Sequence, residues 1–535
     1  MLRRRPFVLG ACQPDAPTDF HAPMTLTASE ATYTEPHRPQ VHFTPPTAWM
    51  NDPNGMVFFD GEYHLFYQHH PASTVWGPMH WGHAISPDLV RWEHRPIALH
   101  PDAIGAIFSG SAVVDAANTA GFQQGDTPAL VAIYTQHSHR GTDTGRDDVQ
   151  TQSLAYSTDR GRTWTKHGGN PVLPNPPAPG AAPLRDFRDP KVLWHEETQR
   201  WVMALAVQDR IQFYGAPDLK AWTFLSEFGA DAGAHGGVWE CPDLFPLTAP
   251  DGTMRWVLLV SIGEGGPNGG SGTQYFLGDF DGTTFTNANP ADAVLWLDYG
   301  RDNYAGVTWS GVPAADGRRL FIGWMSNWQY AQIVPTDPWR SAMTVPRSLH
   351  LVQDASVPGG YRIASRPVEE LRALRGDAVT LAGQTIASAL DVRGITSVFE
   401  GVLTFDLRGA YVPFGLDLAN AAGDVYRLRY DPAAQQLTSD RTASGAVGFA
   451  SDATHLEPRF APTVHTAPLV PAGDLLALQV VADVSSIEVF AEHGRVVFTE
   501  TFFPSAPYDT VRLVADGGTA QLAAAMFWPL ASIWN

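Results

Sequence analysis

The chain has 535 residues, 44% of them hydrophobic and 17% charged, which leaves room for two or three domains with large cores. A formal net charge of −20, with no block of Lys or Arg after the first few residues, argues against nucleic acid or an anionic membrane as partner and favours a neutral substrate. Past the amino terminus no stretch reaches the roughly 18 apolar residues of a membrane span, and Cys12 and Cys241 do not suggest a structural disulfide.

The first element is a tail, residues 1–36. In MLRRRPFVLGAC, Arg4-Arg5 ahead of Phe7 resembles a twin-arginine export signal, and Leu9-Gly10-Ala11-Cys12 resembles a lipoprotein cleavage box. The apolar run between them is about five residues, against the roughly 7–15 of an export signal, so export and a disordered start both stay open. Residues 13–36, rich in Pro, Thr and Ala without periodicity, read as a linker.

From residue 37 to about 350 the chain repeats itself. SPDLVRWEH at Ser86, STDRGRTWTKH at Ser157, APDLKAWTF at Ala216 and, more weakly, GDFDGTTFT at Gly278 each join a turn aspartate to a following aromatic, about 60–70 residues apart. A second theme opens each unit with strand, turn and strand: DPNGMVFFDGEYHLFYQ, FSGSAVVD, RDPKVLWHEETQRWVMALAV, ECPDLFPLTAPDGTMRWVLLVS and YAGVTWSGVPAADGRRLFIGWMSN. Five openings at that spacing predict a five-bladed β-propeller with four strands per blade. RPVEELRALRG, with Val368, Leu371 and Leu374 at helical spacing, predicts a helical connector within 351–376. The alternating runs of 377–535 predict an antiparallel β-sandwich, so the fold class is all-β.

In a propeller the innermost strand of each blade lines the central channel, and three openings begin with an acid: Asp52-Pro53, Asp189-Pro190 and Glu240-Cys241-Pro242. Singly, each reads as a strand-entry turn. Together, with different flanks, they point to one shared site. Paired carboxyl groups are the usual apparatus of glycoside hydrolysis, one ionised to attack or stabilise the anomeric carbon and the other protonated for the leaving oxygen. Arg188 beside Asp189 suits holding a carboxylate ionised or gripping hydroxyls.

Competing features carry less. GEGGPNGGSG, Gly263 to Gly272, lacks the Lys and the strand-to-helix setting of a phosphate loop and reads as a flexible surface loop. His69-His70, His80 and His83 have no metal-ligand spacing and read as structural, and Cys241 reads as a small buried residue shaping the site. No metal or cofactor is called for.

WMNDPNG, FSGS at Phe108 to Ser111, FRDP at Phe187 to Pro190 and WECPDLF at Trp239 to Phe245 resemble, in order, the signature blocks of glycoside hydrolase family 32, the β-fructosidases. WGPMHWGHAISPDLVRWEH, AHGGVWECPDLF and GWMSNWQY extend the resemblance, which runs from about His37 to the final SIWN and is nearest to bacterial levanases and fungal exo-inulinases. It implies that Asp52 is the nucleophile forming a covalent fructosyl-enzyme, Glu240 the general acid and then base, and Asp189 a stabiliser holding fructose hydroxyls. It also implies sugar contacts from Asn51, Gln68, Trp76, Phe108, Ser109, Arg188 and Trp328. The implied substrates are fructans such as levan and inulin, and sucrose-type oligosaccharides. Fructosyl transfer or levan fructotransfer on the same scaffold is the alternative, and a non-catalytic fructan-binding protein is disfavoured by the three intact acids. A polymeric substrate implies an extracellular or cell-surface location.

Overall fold

A computed structural model gives the fold and describes residues 31–138, 149–176, 182–449 and 460–534. The export signal, Cys12 and most of the linker lie outside the described residues. The described end of that tail is packed: Tyr33 stacks on Trp534 with centroids 4.0 Å apart.

Five antiparallel sheets form the propeller, with inner strands Ala48–Phe59, Ala106–Asp115, Phe187–His195, Trp239–Thr248 and Tyr304–Thr308, one from each predicted opening. The repeated aspartates sit in the turns between the two outer strands of their blades. Asp88 accepts the backbone N–H of Val90 and Arg91, Asp218 that of Lys220 and Ala221, and Asp281 that of Thr283 and Thr284. An aspartate whose carboxylate closes its own turn accounts for the sequence repeat. Asp354, which accepts the Ser356 N–H, is the fifth copy, and its turn joins Arg347–Gln353 to the outermost strand Tyr361–Pro367. The fifth sheet therefore runs past residue 350, where the sequence pattern changes.

The amphipathic connector is a six-residue 3₁₀ helix, Glu369–Leu374, and not an α-helix. Its three buried apolar groups, Val368, Leu371 and Leu374, recur every three residues, which is the period of the tighter helix. The ring closes where Ala48 and Trp49 pair in parallel with Trp339 and Arg340.

Two six-stranded antiparallel sheets make the sandwich. Strands such as Val425–Asp431 alternate buried and half-buried residues, as a sheet with one wet face must. Ser486–Ala491 is buried throughout, because its outer face meets the propeller. There Phe490 and Val497 join the core that holds Val41, Phe43 and Met343. Charges are buried in this seam as well. His42 reaches Asp483 at 2.8 Å and Glu488 at 3.0 Å, and Arg347 bridges Glu488 and Asp298.

Candidate active site

Each inner strand breaks register at the same level of the channel: between Met50 and Pro53, between Ile107 and Gly110, opposite Ala204–Ala206 for the Asp189 strand, between Glu240 and Asp243, and between Tyr304 and Val307. These are β-bulges, which bend a strand and re-aim its side chains. WMNDPNG therefore lies inside a strand and not at a strand-entry turn. Bulges and turns draw on the same residue types, which is why the two look alike in sequence. Three bulged residues without the excuse of glycine take a positive φ: Asp189 at 65°, Cys241 at 45° and Ala305 at 53°.

The bulges bring the acids together in distinct surroundings. Asp52 Oδ1 accepts from Asn51 Nδ2 at 2.9 Å and Oδ2 from Ser109 Oγ at 2.6 Å. Asn51 is held in turn by the Trp49 indole N–H at 2.7 Å. Burial raises the pKa of Asp52, the Ser109 hydroxyl pulls it back and nearby Glu240 adds to the rise. Asp189 Oδ2 accepts the Cys241 backbone N–H at 3.0 Å. Burial pushes its pKa up to about 7, Arg188 opposing and the charges of Glu240 and Asp52 assisting. The Cys241 thiol lies between the two, 3.5 Å from Asp52 Oδ2 and 3.6 Å from Asp189 Oδ2. Burial and the adjacent acids keep it protonated, so it shapes the site and is no nucleophile.

Glu240 Oε1 accepts two bonds from Arg188, at 3.1 and 2.9 Å, and Oε2 accepts the Tyr304 hydroxyl. Burial works against the charge on Arg188, but Glu240, Asp189 and Asp186 outweigh it and hold the guanidinium firmly ionised. Tyr304 stays a neutral donor, since burial and Glu240 both raise its pKa. The Glu240 side chain is 21% exposed and that of Asp189 6%, so Glu240 stands nearer the mouth.

All ten residues singled out from the sequence line one cavity of about 480 Å³, joined by His137, Gln150 and Asp186. Trp76 meets Phe108 edge-on, His137 stacks on the other side of Phe108 at 4.5 Å, and Trp328 stacks on Trp49 at 6.0 Å. Gln68 Nε2 is buried without a hydrogen-bond partner, a donor left for a ligand. Sequence reasoning missed His137, Gln150 and Asp186, and also Tyr304, which donates to Glu240, although Tyr304 begins the fifth opening. Asp186, which grips Arg188 at 2.7 Å, sits two residues before it. The histidines read as structural bond to nearby groups: His69 to Trp49 O, His70 to Val75 O, His80 to Pro78 O and His83 to His64.

The family models for the glycosyl hydrolases family 32 N-terminal domain and C-terminal region match residues 42–359 and 370–529. The chain belongs to glycosyl hydrolase family 32. A levanase of Bacillus subtilis is 48% identical over 95% of this chain and 72% of its own length. An extracellular exo-inulinase of Aspergillus awamori is 39% identical over 94% of this chain and 96% of its own. The crystal structure of exo-inulinase from A. awamori superposes with a TM-score of 0.84 at 38% identity, covering 94% of this chain and all of that one. A β-fructofuranosidase of Schwanniomyces occidentalis complexed with fructosyl-erythritol gives 0.82 at 30%, covering 94% and 99%. Among the described residues of this family 32 enzyme, no helix is long and apolar enough to cross a membrane.

Proposed function

We propose that Asp52, Glu240 and Asp189 divide between them a retaining, two-step hydrolysis of β-fructosides. The enzyme is a β-fructosidase acting on fructans and sucrose-type oligosaccharides. Asp52, deep in the cavity and aimed by Asn51 and Ser109, attacks the anomeric carbon of the terminal fructosyl unit. Glu240 gives its proton to the departing glycosidic oxygen, which leaves a fructosyl ester on Asp52. A water molecule then enters where the leaving group stood; Glu240 takes its proton, the oxygen bonds to the anomeric carbon and the Asp52 carboxylate is released. Asp189 accepts from ring hydroxyls, Arg188 and Gln68 donate to them, and Trp328, Trp76 and Phe108 wall the sugar off from water.

The observation that carries this reading is the placement of the three acids in one cavity, with Asp52 deep between two donors and Glu240 at the mouth beside Arg188 and Tyr304. Attack at chain ends fits both the size of the cavity and the exo-acting relatives. A fructan polymer does not cross membranes, so the enzyme works outside the cell, as the relatives described as extracellular do. Asp52→Ala and Glu240→Gln each lower turnover about a thousandfold or more. NMR of the first product shows the β-anomer and a time course on levan shows free fructose from the start. Near-normal turnover in either variant, or inversion, overturns the assignment.

A further inference from the structure

The loop Gly263 to Gly272 is not a loose surface feature. Its Asn268 side chain works as one rung of a sheet: Nδ2 donates to Thr466 O at 3.0 Å and Oδ1 accepts the Thr466 N–H at 2.9 Å. Thr466 lies on His465–Pro468, the edge strand of one sandwich sheet, so the amide covers backbone groups that an edge leaves open. The same Nδ2 also donates to Tyr299 O, at 2.7 Å, on the propeller side.

Three residues further on, the loop meets the cavity. Ser271, buried, accepts the backbone N–H of Trp328 on its hydroxyl at 3.3 Å, and its carbonyl accepts Asn327 Nδ2 at 3.2 Å. Gly270, at φ 72°, passes so close that a Cβ there would lie 2.5 Å from Asn327 Oδ1. Arg301 Nε holds the carbonyl of Gly269 at 3.1 Å. On the far side of Trp328, Tyr330 accepts a hydrogen bond from Arg441 of the sandwich at 2.7 Å. The turn that carries Trp328 is thus tied to the sandwich at both ends. Trp328 packs on Trp49, whose indole N–H orients Asn51 against Asp52.

We infer that Asn268 is a positioning residue through which the β-sandwich sets the Trp328 wall of the catalytic cavity. The inference rests on the reading of Trp328 as a wall of the fructosyl site. Asn268→Ala removes the rung while Thr466, half-exposed, takes water in its place, so the fold survives. KM for sucrose rises about five- to twentyfold with kcat within about twofold, and the melting temperature moves by no more than about 2 °C. Amide exchange speeds up in a peptide covering Ser326 to Ala331 and not in Arg319 to Met325. In the Trp328→Ala background, adding Asn268→Ala changes KM by less than about twofold, because the wall it positions has gone.

Gly270→Ala, which strikes the middle of the relay without touching Asn268, gives the same KM and exchange signature and serves if Asn268→Ala does not fold. Unchanged KM and unchanged exchange in a folded Asn268→Ala overturn the relay whatever Gly270→Ala does, as does full additivity of Asn268→Ala with Trp328→Ala; where Asn268→Ala does not fold, the same null result in Gly270→Ala overturns it. Wild-type protein that releases no fructose overturns the β-fructosidase reading instead, and the exchange data then decide the relay alone.

Discussion

Asp189→Asn removes one of three carboxyl charges from a site that burial makes unfavourable for them, and it separates catalysis from stability. Burial holds the folded-state pKa of Asp189 at about 7 against an ordinary 3.8, a difference that corresponds to roughly 4 kcal/mol of folding free energy. An acid with a raised folded pKa binds more protons folded than unfolded, so it lowers stability progressively as pH climbs from about 4 to about 7. At pH 8 the wild type carries the whole penalty; at pH 4 it carries almost none. Asn keeps the shape and an oxygen for the Cys241 N–H but has no charge to desolvate. At about 2.1 cal/mol/K of unfolding entropy per residue, a chain of this length gains roughly 4 °C at pH 8 if it melts as one unit, and more if the propeller melts first. The assay is calorimetry of both proteins from pH 4 to 8, alongside fructose release. Activity falls by orders of magnitude while the melting temperature rises, and the rise shrinks toward pH 4. A variant no more stable than wild type at pH 8, or an advantage that does not depend on pH, refutes the reasoning.

Ser109→Ala takes the 2.6 Å hydrogen bond from Asp52 and leaves burial and Glu240 less opposed, so the acidic limb of the kcat/KM profile moves to higher pH; an unmoved limb separates Asp52 from the ionisation that limits turnover. Tyr304→Phe deletes the hydroxyl donated to Glu240 and lowers kcat about 10- to 100-fold with little change in KM; steady-state kinetics on sucrose check this, and an unchanged kcat counts against a part for that hydrogen bond in turnover. The buried His42, raised to about 9 by Asp483 and Glu488 against its own desolvation, contributes about 3 kcal/mol that is fully present below pH 6.5 and lost as pH rises through 9. His42→Gln therefore flattens the fall of melting temperature between pH 6.5 and 9, and parallel wild-type and variant profiles count against a charged His42.

Blades and acids were legible for one physical reason. A propeller repeats its local chemistry, so Asp88, Asp159, Asp218 and Asp281 recur at turns and the acid-Pro pairs recur at inner strands, where convergence follows from topology. The bulges were hidden, since the Asn, Asp and Gly of WMNDPNG serve a bulge as well as a turn. Tyr304 escaped notice because its opening lacks an acid, and a tyrosine beside an apolar run looks like core. Gln150 and His137 reach the cavity from strand positions with no motif around them, and Asp186 does so from the bend just ahead of FRDP. The role of Asn268 was out of reach for a different reason: its partner Thr466 lies 198 residues away, and only the docking of two domains brings them together. The same holds for His42, 441 residues from Asp483.

One device repeated five times gives three carboxyl groups three different characters. Each bulge re-aims a side chain into the channel, but the neighbouring blade decides what that side chain meets. Blade two supplies Ser109 to Asp52, so the upward pull of burial on that acid is partly opposed. Blade four supplies only a backbone N–H and a thiol to Asp189, with the nearest Arg188 nitrogen 3.9 Å away, so its charge is the least compensated. Blades three and five supply Arg188 and Tyr304 to Glu240, both of them donors, at the end of the cavity that water reaches. Positive φ at Asp189, Cys241 and Ala305 costs about 1–2 kcal/mol apiece, and strain of that size persists where the surrounding structure over-determines the backbone. That it falls in three successive blades, at the level of the acids, ties the strain to their placement. The sandwich, clamped by buried charges at His42, Arg347 and Arg441, supplies part of that over-determination.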